Sequence, residues 1–342
     1  MSSSLVTLIV PCYNMGNRIH RLFDSILQQT YKHLHIVVVD DGSKDNSKDV
    51  ILSYIPQFEK KGYDAEYVYR ENGGLGAAIN TGLKHIKGEF FCWPDADDFL
   101  TPDSVEKKII FLKSNPDYAF VRSDAALFFE DNLSEQIGCI SRKSPNRFKE
   151  LDLMEDYILE RDIIFCPGCH MVRTASFREV NPKMDIFEGR RGQNYQMLLP
   201  LLYKFKFGYI DECLYNYIVY KDSMSRGDDS YEKWVLRYQE LEDCVIETLK
   251  RMIMRKDDFE YYFDLTKQKY IQRKALKAFE FALVEEYKIQ RSLLNNADLI
   301  ESLRYIDRIL MIPGGFYLNK LKCRLIKLLK ENRIIYKMFR RQ

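Results

Sequence analysis

His35-Ile36-Val37-Val38-Val39-Asp40-Asp41-Gly42-Ser43 is a β-branched apolar run that breaks abruptly into two carboxylates and a glycine. An apolar run without alternation reads as a strand covered on both faces. Leu5 to Val10 is a similar run, closed by Pro11-Cys12-Tyr13-Asn14, and helical spacing follows at Ile19, Leu22, Phe23, Ile26 and Leu27. Downstream, Asp45 or Asn46 can cap a helix whose Val50, Ile51 and Tyr54 share a face. Glu66 to Tyr69 is a short strand, Gly73-Gly74-Leu75-Gly76 opens a helix through Ile86, and Glu89 to Trp93 leads into Asp95-Ala96-Asp97-Asp98. Short strands alternating with helices predict an α/β chain: a mostly parallel sheet with helices on both faces. In such sheets ligands bind outside the carboxyl ends of the strands. Pro11 to Asn14, Asp40 to Ser43 and Asp95 to Asp98 all fall there, so their convergence is a structural expectation.

Three carboxylates in four residues, Asp95, Asp97 and Asp98, are costly at the end of a buried strand unless a cation or hydrogen-bond donors sit among them. One reading is a divalent metal carrying a phosphorylated ligand, because hard cations take carboxylate oxygens. The other is a solvated acidic turn that caps the helix beginning near Pro102. Tyr13 could stack on a base, a carboxylate after the second strand could accept a base N–H or a ribose hydroxyl, and Asp97 could hold a metal bridging two phosphates. Together these fit a nucleotide diphosphate.

At 342 residues, with 46% apolar and 30% charged side chains, the chain reads as a soluble globular protein of one large or two smaller domains. A net charge of +2 offers no global field for nucleic acid, and none is expected as a partner. No 18-residue apolar run spans a membrane, and the N-terminal stretch does not read as a secretory signal. The eight cysteines are therefore expected as reduced thiols in the cytoplasm. Cys166-Pro167-Gly168-Cys169-His170 has the spacing of a zinc half-site or a redox pair, but no second pair completes it. A tight turn between buried segments is the plainer reading. Residues 115 to about 226 mix short strands and loops, and helix dominates from Ser230. The boundary is placed at Gly227-Asp228-Asp229, which divides the chain into 1–227 and 228–342.

Val6 to Asn14, Gln28-Gln29-Thr30-Tyr31, Ile36 to Ser43, and Asp95 to Asp98 with Pro102-Asp103 together resemble the motif series of family-2 glycosyltransferases of the GT-A fold. Asn72 to Gly82 and Gly88-Glu89-Phe90-Phe91 fit the same series. The likeness is ordered across residues 5 to 105 and weaker to about 226, where Leu214 to Tyr217 and Ser223 to Ser225 resemble the loop that closes such a domain. The resemblance does not extend to the C-terminal helices. The resemblance implies metal-dependent, inverting transfer of a sugar from a UDP-sugar to an acceptor hydroxyl, with Mn2+ or Mg2+ as cofactor. By carry-over, Pro11 and Tyr13 flank the uracil, Asp41 accepts its N–H, Asp40 supports that loop, Asp95 approaches the ribose and Asp97 ligates the metal. The resemblance also suggests a saccharide or lipid-linked saccharide acceptor in surface polysaccharide synthesis.

The general base departs from the pattern. Many members carry an acidic pair at a helix start where this chain has Gly192-Gln193-Asn194-Tyr195-Gln196. Asparagine cannot accept a proton there, so Glu188 or Asp185 takes the role, or the amides bind sugar hydroxyls and the base lies elsewhere. Glu188 is the assigned base; its plain alternative is a surface carboxylate paired with Arg190 or Arg191. His170 reads as a half-buried, hydrogen-bonded histidine ahead of a base. Lys221 and Arg226 either contact the diphosphate or belong to a charged loop. The missing pair also motivates a rival, a nucleotide-sugar-binding protein with weak or no catalysis in a synthase complex. A nicotinamide-dependent oxidoreductase is disfavoured by the acidic stretch.

From Asn319 onward, nine Lys or Arg oppose a single acidic residue, Glu331, and Leu318, Leu321, Leu325, Leu328, Ile335 and Met338 recur at helical spacing. A basic amphipathic helix of this kind either lies on an anionic membrane, as a peripheral protein at its inner face, or packs on its own domain.

Overall fold

The computed structural model describes residues 4–141, 145–161, 163–220 and 228–311. Strand β1 (Val6–Cys12), helix α1 (His20–Leu27), β2 (Leu34–Asp40), α2 (Ser47–Lys60), β3 (Asp64–Tyr69), α3 (Leu75–Lys84) and β4 (Phe90–Cys92) form the alternating half. Pairing runs β3-β2-β1-β4, parallel throughout, with Val6 beside both Leu34 and Phe90. Side-chain alternation along these strands feeds two cores. Val6, Leu8, Val10, Ile36 and Val38 pack with Leu22, Phe23, Ile26, Ile51 and Phe58 of α1 and α2. Val37 and Val39 face Ala78 of α3, and Gly82 of α3 lies so near Ile9 that an added Cβ would stand 2.3 Å from its Cγ2. Helices therefore cover both faces.

The expected strand end at Val10 moves outward, since β1 keeps pairing through Pro11 and Cys12. Asp41 N donates to Cys12 O, so Cys12 turns its polar groups to β2 and Pro11 turns its own to the other side. There pairing with β4 has already stopped at Leu8, and the missing N–H of proline costs nothing.

The second half of the sheet holds β5 (Phe99–Leu100), α4 (Ser104–Ser114), β6 (Tyr118–Phe129), β7 (Gly138–Cys139), α5 (Met154–Leu159), β8 (His170–Arg173), α6 (Thr174–Val180), α7 (Gln193–Lys204) and β9 (Lys206–Val219). Antiparallel β8 joins β4 to β6, β9 runs parallel to β6, β5 pairs antiparallel with the end of β9, and β7 pairs with β6. The chain divides into two compact units. The first runs to Tyr220 and takes in Glu247–Arg255. The second, over its described residues, holds most of α8 (Tyr231–Arg251), α9 (Lys256–Glu280), α10 (Val284–Ser292), α11 (Ala297–Glu301) and α12 (Arg304–Met311). Its core is Ala275, Ala278, Phe279, Tyr287, Leu294, Leu303 and Ile306, and buried Glu242 is paired with Lys267 at 2.9 Å and Lys274 at 3.4 Å. No described helix is long and apolar enough to cross a membrane. The basic amphipathic tail, Lys221, Ser223 to Ser225 and Arg226 lie outside the described residues.

Candidate active site

The loops after β1, β2 and β3 are locked to one another by side chains. Asn14, in the left-handed region at φ 53°, donates its N–H to Ser43 Oγ at 2.9 Å and accepts from Lys44 N at 2.8 Å. Met15 N and Gly16 N donate to Ser47 Oγ and Asp45 Oδ2 at 2.8 and 3.0 Å. Tyr13 stands just before this lock and is 44% exposed, while Pro11 is buried in the strand.

Asp40 and Asp41 are both buried, and both are already engaged. Asp40 accepts from Ser43 N at 2.8 Å and from the Tyr67 hydroxyl at 2.9 Å. Asp41 pairs with Arg70 and takes the N–H groups of Gly73 at 3.1 Å and Gly74 at 2.8 Å, just ahead of α3. A carboxylate thus occupies the helix N-terminus, where the glycine-rich run resembles a phosphate cradle. Its Oδ2 carries one bond, so any base N–H would have to be accepted there. Arg70 escaped the sequence reading because nothing local pairs it with a residue 29 positions earlier.

The acidic turn is held by β9 and by the residue after it. The Tyr215 hydroxyl accepts from Asp95 N at 3.1 Å, Ile218 N donates to Asp98 Oδ1 at 2.8 Å, and the Tyr220 hydroxyl donates to Asp97 O at 2.8 Å. Asp95 and Asp97 are half-buried; Asp98 is buried, and its Oδ2 has no hydrogen-bond partner. Burial, then the charge of Asp97, pushes the Asp95 carboxyl up to about 8; burial, then Asp97 and Asp95, pushes Asp98 up as well. Mutual repulsion with an orphaned buried oxygen is the condition that a bound divalent cation relieves, and an all-carboxylate donor set suits Mn2+ or Mg2+. Asp98, read from sequence only as part of the cluster, is the most buried of its carboxylates.

Tyr220 also links the acidic turn to the first loop. Its hydroxyl accepts from Arg21 Nη1 at 3.0 Å, and the Arg18 guanidinium lies 4.0 Å from its ring centroid. Of the three clusters expected to converge, the first two are joined directly, and the acidic turn is joined through Tyr220 to Arg18 and Arg21, downstream of the first.

Asn194, at the start of α7, is locked as well. Its Oδ1 accepts from Trp93 Nε1 at 3.0 Å and its Nδ2 donates to Phe165 O at 2.5 Å. Gln196 grips the backbone of Phe187 from both sides, and Asn80 does the same to Ile186. Glu188 is exposed on the loop so clamped, with Asn80 Nδ2 at 3.3 Å from its Oε1. Gly76 of α3 abuts that loop: a Cβ there would meet Phe187 O at 2.9 Å. Asp185 faces Arg251 at 3.8 Å.

His170 is wholly buried, deeper than expected. It stacks on Trp93, its Nδ1 bonds to Cys166 O at 3.0 Å, and burial followed by the charges of Arg122 and Lys108 pushes its pKa down to about 3. A neutral, enclosed imidazole is not a solvent-side base. Residues 166–169 form the expected tight turn between buried segments, and Gly168 lets it pass against the Tyr215 ring, where a Cβ would fall 2.0 Å from Cε2.

Elsewhere, at the start of β2 and β3, His35, Asp64 and Glu66 bring ligand-type atoms close together, which the carboxylates of the acidic turn do not. Thr7 Oγ1 accepts from Lys87 N and Gly88 N, so its own proton goes to His35 Nδ1 and the imidazole proton sits on Nε2, facing Glu66 at 3.1 Å. Lys87 already supplies the cation to both carboxylates. This is an ion-pair cluster.

Residues 7–180 match the sequence profile of glycosyl transferase family 2. The chain belongs to this family. Among its curated relatives, GlyA of Streptococcus pneumoniae is 30% identical over 241 residues, 67% of this chain and 32% of GlyA. An uncharacterized glycosyltransferase of Rickettsia typhi is 44% identical over 110 residues, 32% of each chain. This glycosyl transferase family member thus spans about a third of the length of those relatives. Among solved structures, TarS of S. aureus in complex with UDP-GlcNAc matches with a TM-score of 0.60 at 18% identity, over 81% of this chain and 75% of that one. A mannosyltransferase from Pyrobaculum calidifontis in complex with GDP-Man and Mn2+ matches with a TM-score of 0.52 at 15% identity, over 96% and 87%. The fold is GT-A-like with a C-terminal helical region.

Proposed function

We propose that this chain transfers a sugar, with inversion, from a UDP-sugar to an acceptor hydroxyl, and that the acceptor is a saccharide or lipid-linked saccharide of a surface polysaccharide. The acidic turn carries this reading: three neighbouring carboxylates, one with an orphaned buried oxygen, lie on a turn whose Asp97 carbonyl is tied through Tyr220 to Arg18 and Arg21. The exposed Tyr13 ring stacks on the base beside Pro11, Asp40 and Asp41 hold the loops that shape the base site, and Asp95 meets the ribose. Asp97, with the neighbouring carboxylates, would hold Mn2+ or Mg2+. Held there, it would supply positive charge to the diphosphate leaving group. Glu188 takes the proton of the acceptor hydroxyl as that oxygen attacks the opposite face of the sugar. The UDP-GlcNAc bound by TarS and the Mn2+ in the mannosyltransferase complex support donor and cation class.

A screen of UDP- and GDP-sugars with manganese present tests the proposal. Turnover of a UDP-sugar that is abolished in Asp97→Ala is the expected result. The locked amide of Asn194, where an acidic pair stands in many members, favours one second reading, a nucleotide-sugar-binding component without catalysis. Nucleotide binding with no turnover of any donor would select it.

A further inference from the structure

Three of the contacts that hold the acidic turn differ in kind. Tyr215 meets a backbone N–H at Asp95 and the Ile218 backbone meets the Asp98 side chain, both from within the last strand of the sheet. The third, from Tyr220 to the Asp97 carbonyl, comes from a side chain that is itself held by two others. Arg21 donates into the same hydroxyl, and Arg18 lies over the ring while pairing with Glu130 at 3.9 Å. A phenol that accepts from a guanidinium is a stronger donor in its own right, because chained hydrogen bonds polarise one another. Tyr220 is buried, so water does not compete for these bonds.

We propose that Tyr220 is a positioning residue for cation binding: it fixes the peptide of Asp97 against α1, so that the Asp97 carboxylate is preorganised beside Asp95 and Asp98. This rests on the reading of Asp97 as a cation ligand. The same hydroxyl links the acidic turn to the helix that follows Tyr13.

The test is titration of the full chain with Mn2+ alone, following the electron paramagnetic resonance of free Mn2+, for wild type, Tyr220→Phe and Arg21→Met. The phenylalanine keeps the ring under Arg18 and removes only the hydroxyl; the methionine removes the outer donor and leaves the tyrosine, so it decides the matter if Tyr220→Phe fails to fold. Expected is about tenfold weaker Mn2+ binding in Tyr220→Phe and about threefold in Arg21→Met, the size of one to two lost hydrogen bonds. In turnover the loss should appear in the Mn2+ dependence, with the KM for acceptor unmoved. Wild-type binding with both variants equal to it overturns the inference and leaves the Asp97 reading standing. Absence of binding in wild type overturns the Asp97 reading, and the inference with it.

Discussion

Asn194, where the family resemblance places an acidic pair, does structural work. Its oxygen and its nitrogen are both spent, on Trp93 and Phe165, so it neither takes a proton nor swings toward a ligand. The proposed base is instead Glu188, exposed on a backbone clamped by Asn80 and Gln196. Glu188→Gln keeps the size and the hydrogen bond to Asn80 but cannot accept a proton. Turnover should fall by roughly 10²- to 10⁴-fold with the KM for the UDP-sugar unchanged. Steady-state kinetics with the donor found in the screen checks this, and near-wild-type kcat would return the role of base to another group. Glu188 was legible in the sequence as a carboxylate near the expected position. The clamp was not, because Asn80 lies 108 residues earlier.

Between elements, polar side chains do what the apolar pattern cannot, which is to hold strands in register at their ends. At the start of β2 and β3, Glu66 collects Lys87, His85 at 2.7 Å and His35 at 3.1 Å. Burial alone would raise its carboxyl, but the hydrogen bonds from Lys87, His85 and His35 outweigh burial and hold it down to about 2, against an ordinary 4.5. A depressed carboxylate stabilises the fold above its unfolded pKa, and that contribution drains away as pH falls from 4.5 toward 2. With the side chain partly exposed, solvent screening leaves about 1–2 kcal/mol. Urea unfolding of wild type and Glu66→Gln should differ by that amount at pH 7 and converge as the pH drops below 4.5. A gap that stays constant down to pH 3 would remove the ionised carboxylate as its cause. The strands themselves were readable from β-branched runs, and the extension of β1 through Pro11 became visible only with β4 in place.

At the scale of the whole chain, the first compact unit reaches past the expected boundary at 227/228 to take in Glu247–Arg255, where Arg251 meets Asp185 and Arg255 N meets the Tyr203 hydroxyl at 3.2 Å. A composition shift marks where helix takes over but not which helix end packs back. The basic tail beyond Asn319 belongs to this scale too, because its value depends on many charges acting at once. Each basic residue near an anionic leaflet adds about 1 kcal/mol, so nine against one acid predict that the full chain floats with anionic liposomes. A chain ending at Pro313 should stay at the bottom of the gradient; equal flotation of the two sets the membrane role of the tail aside.

The sequence by itself determined the alternating parallel half of the sheet, the helices on both its faces and the three polar clusters at strand ends. Those features follow from unalternating apolar runs, from the 3.6-residue helical period and from the breaks that end those runs, all of which are local. Only the tertiary structure decided what holds the clusters. It joined Asp41 to Arg70 and to the amides of Gly73 and Gly74, Asp97 to Tyr220, and Asn194 to Trp93, across separations of 29 to 123 residues. A carboxylate or an amide has the same chemistry wherever it stands in a sequence. Its pKa, its free lone pairs and so its role are set by the neighbours that packing brings within about 3 Å.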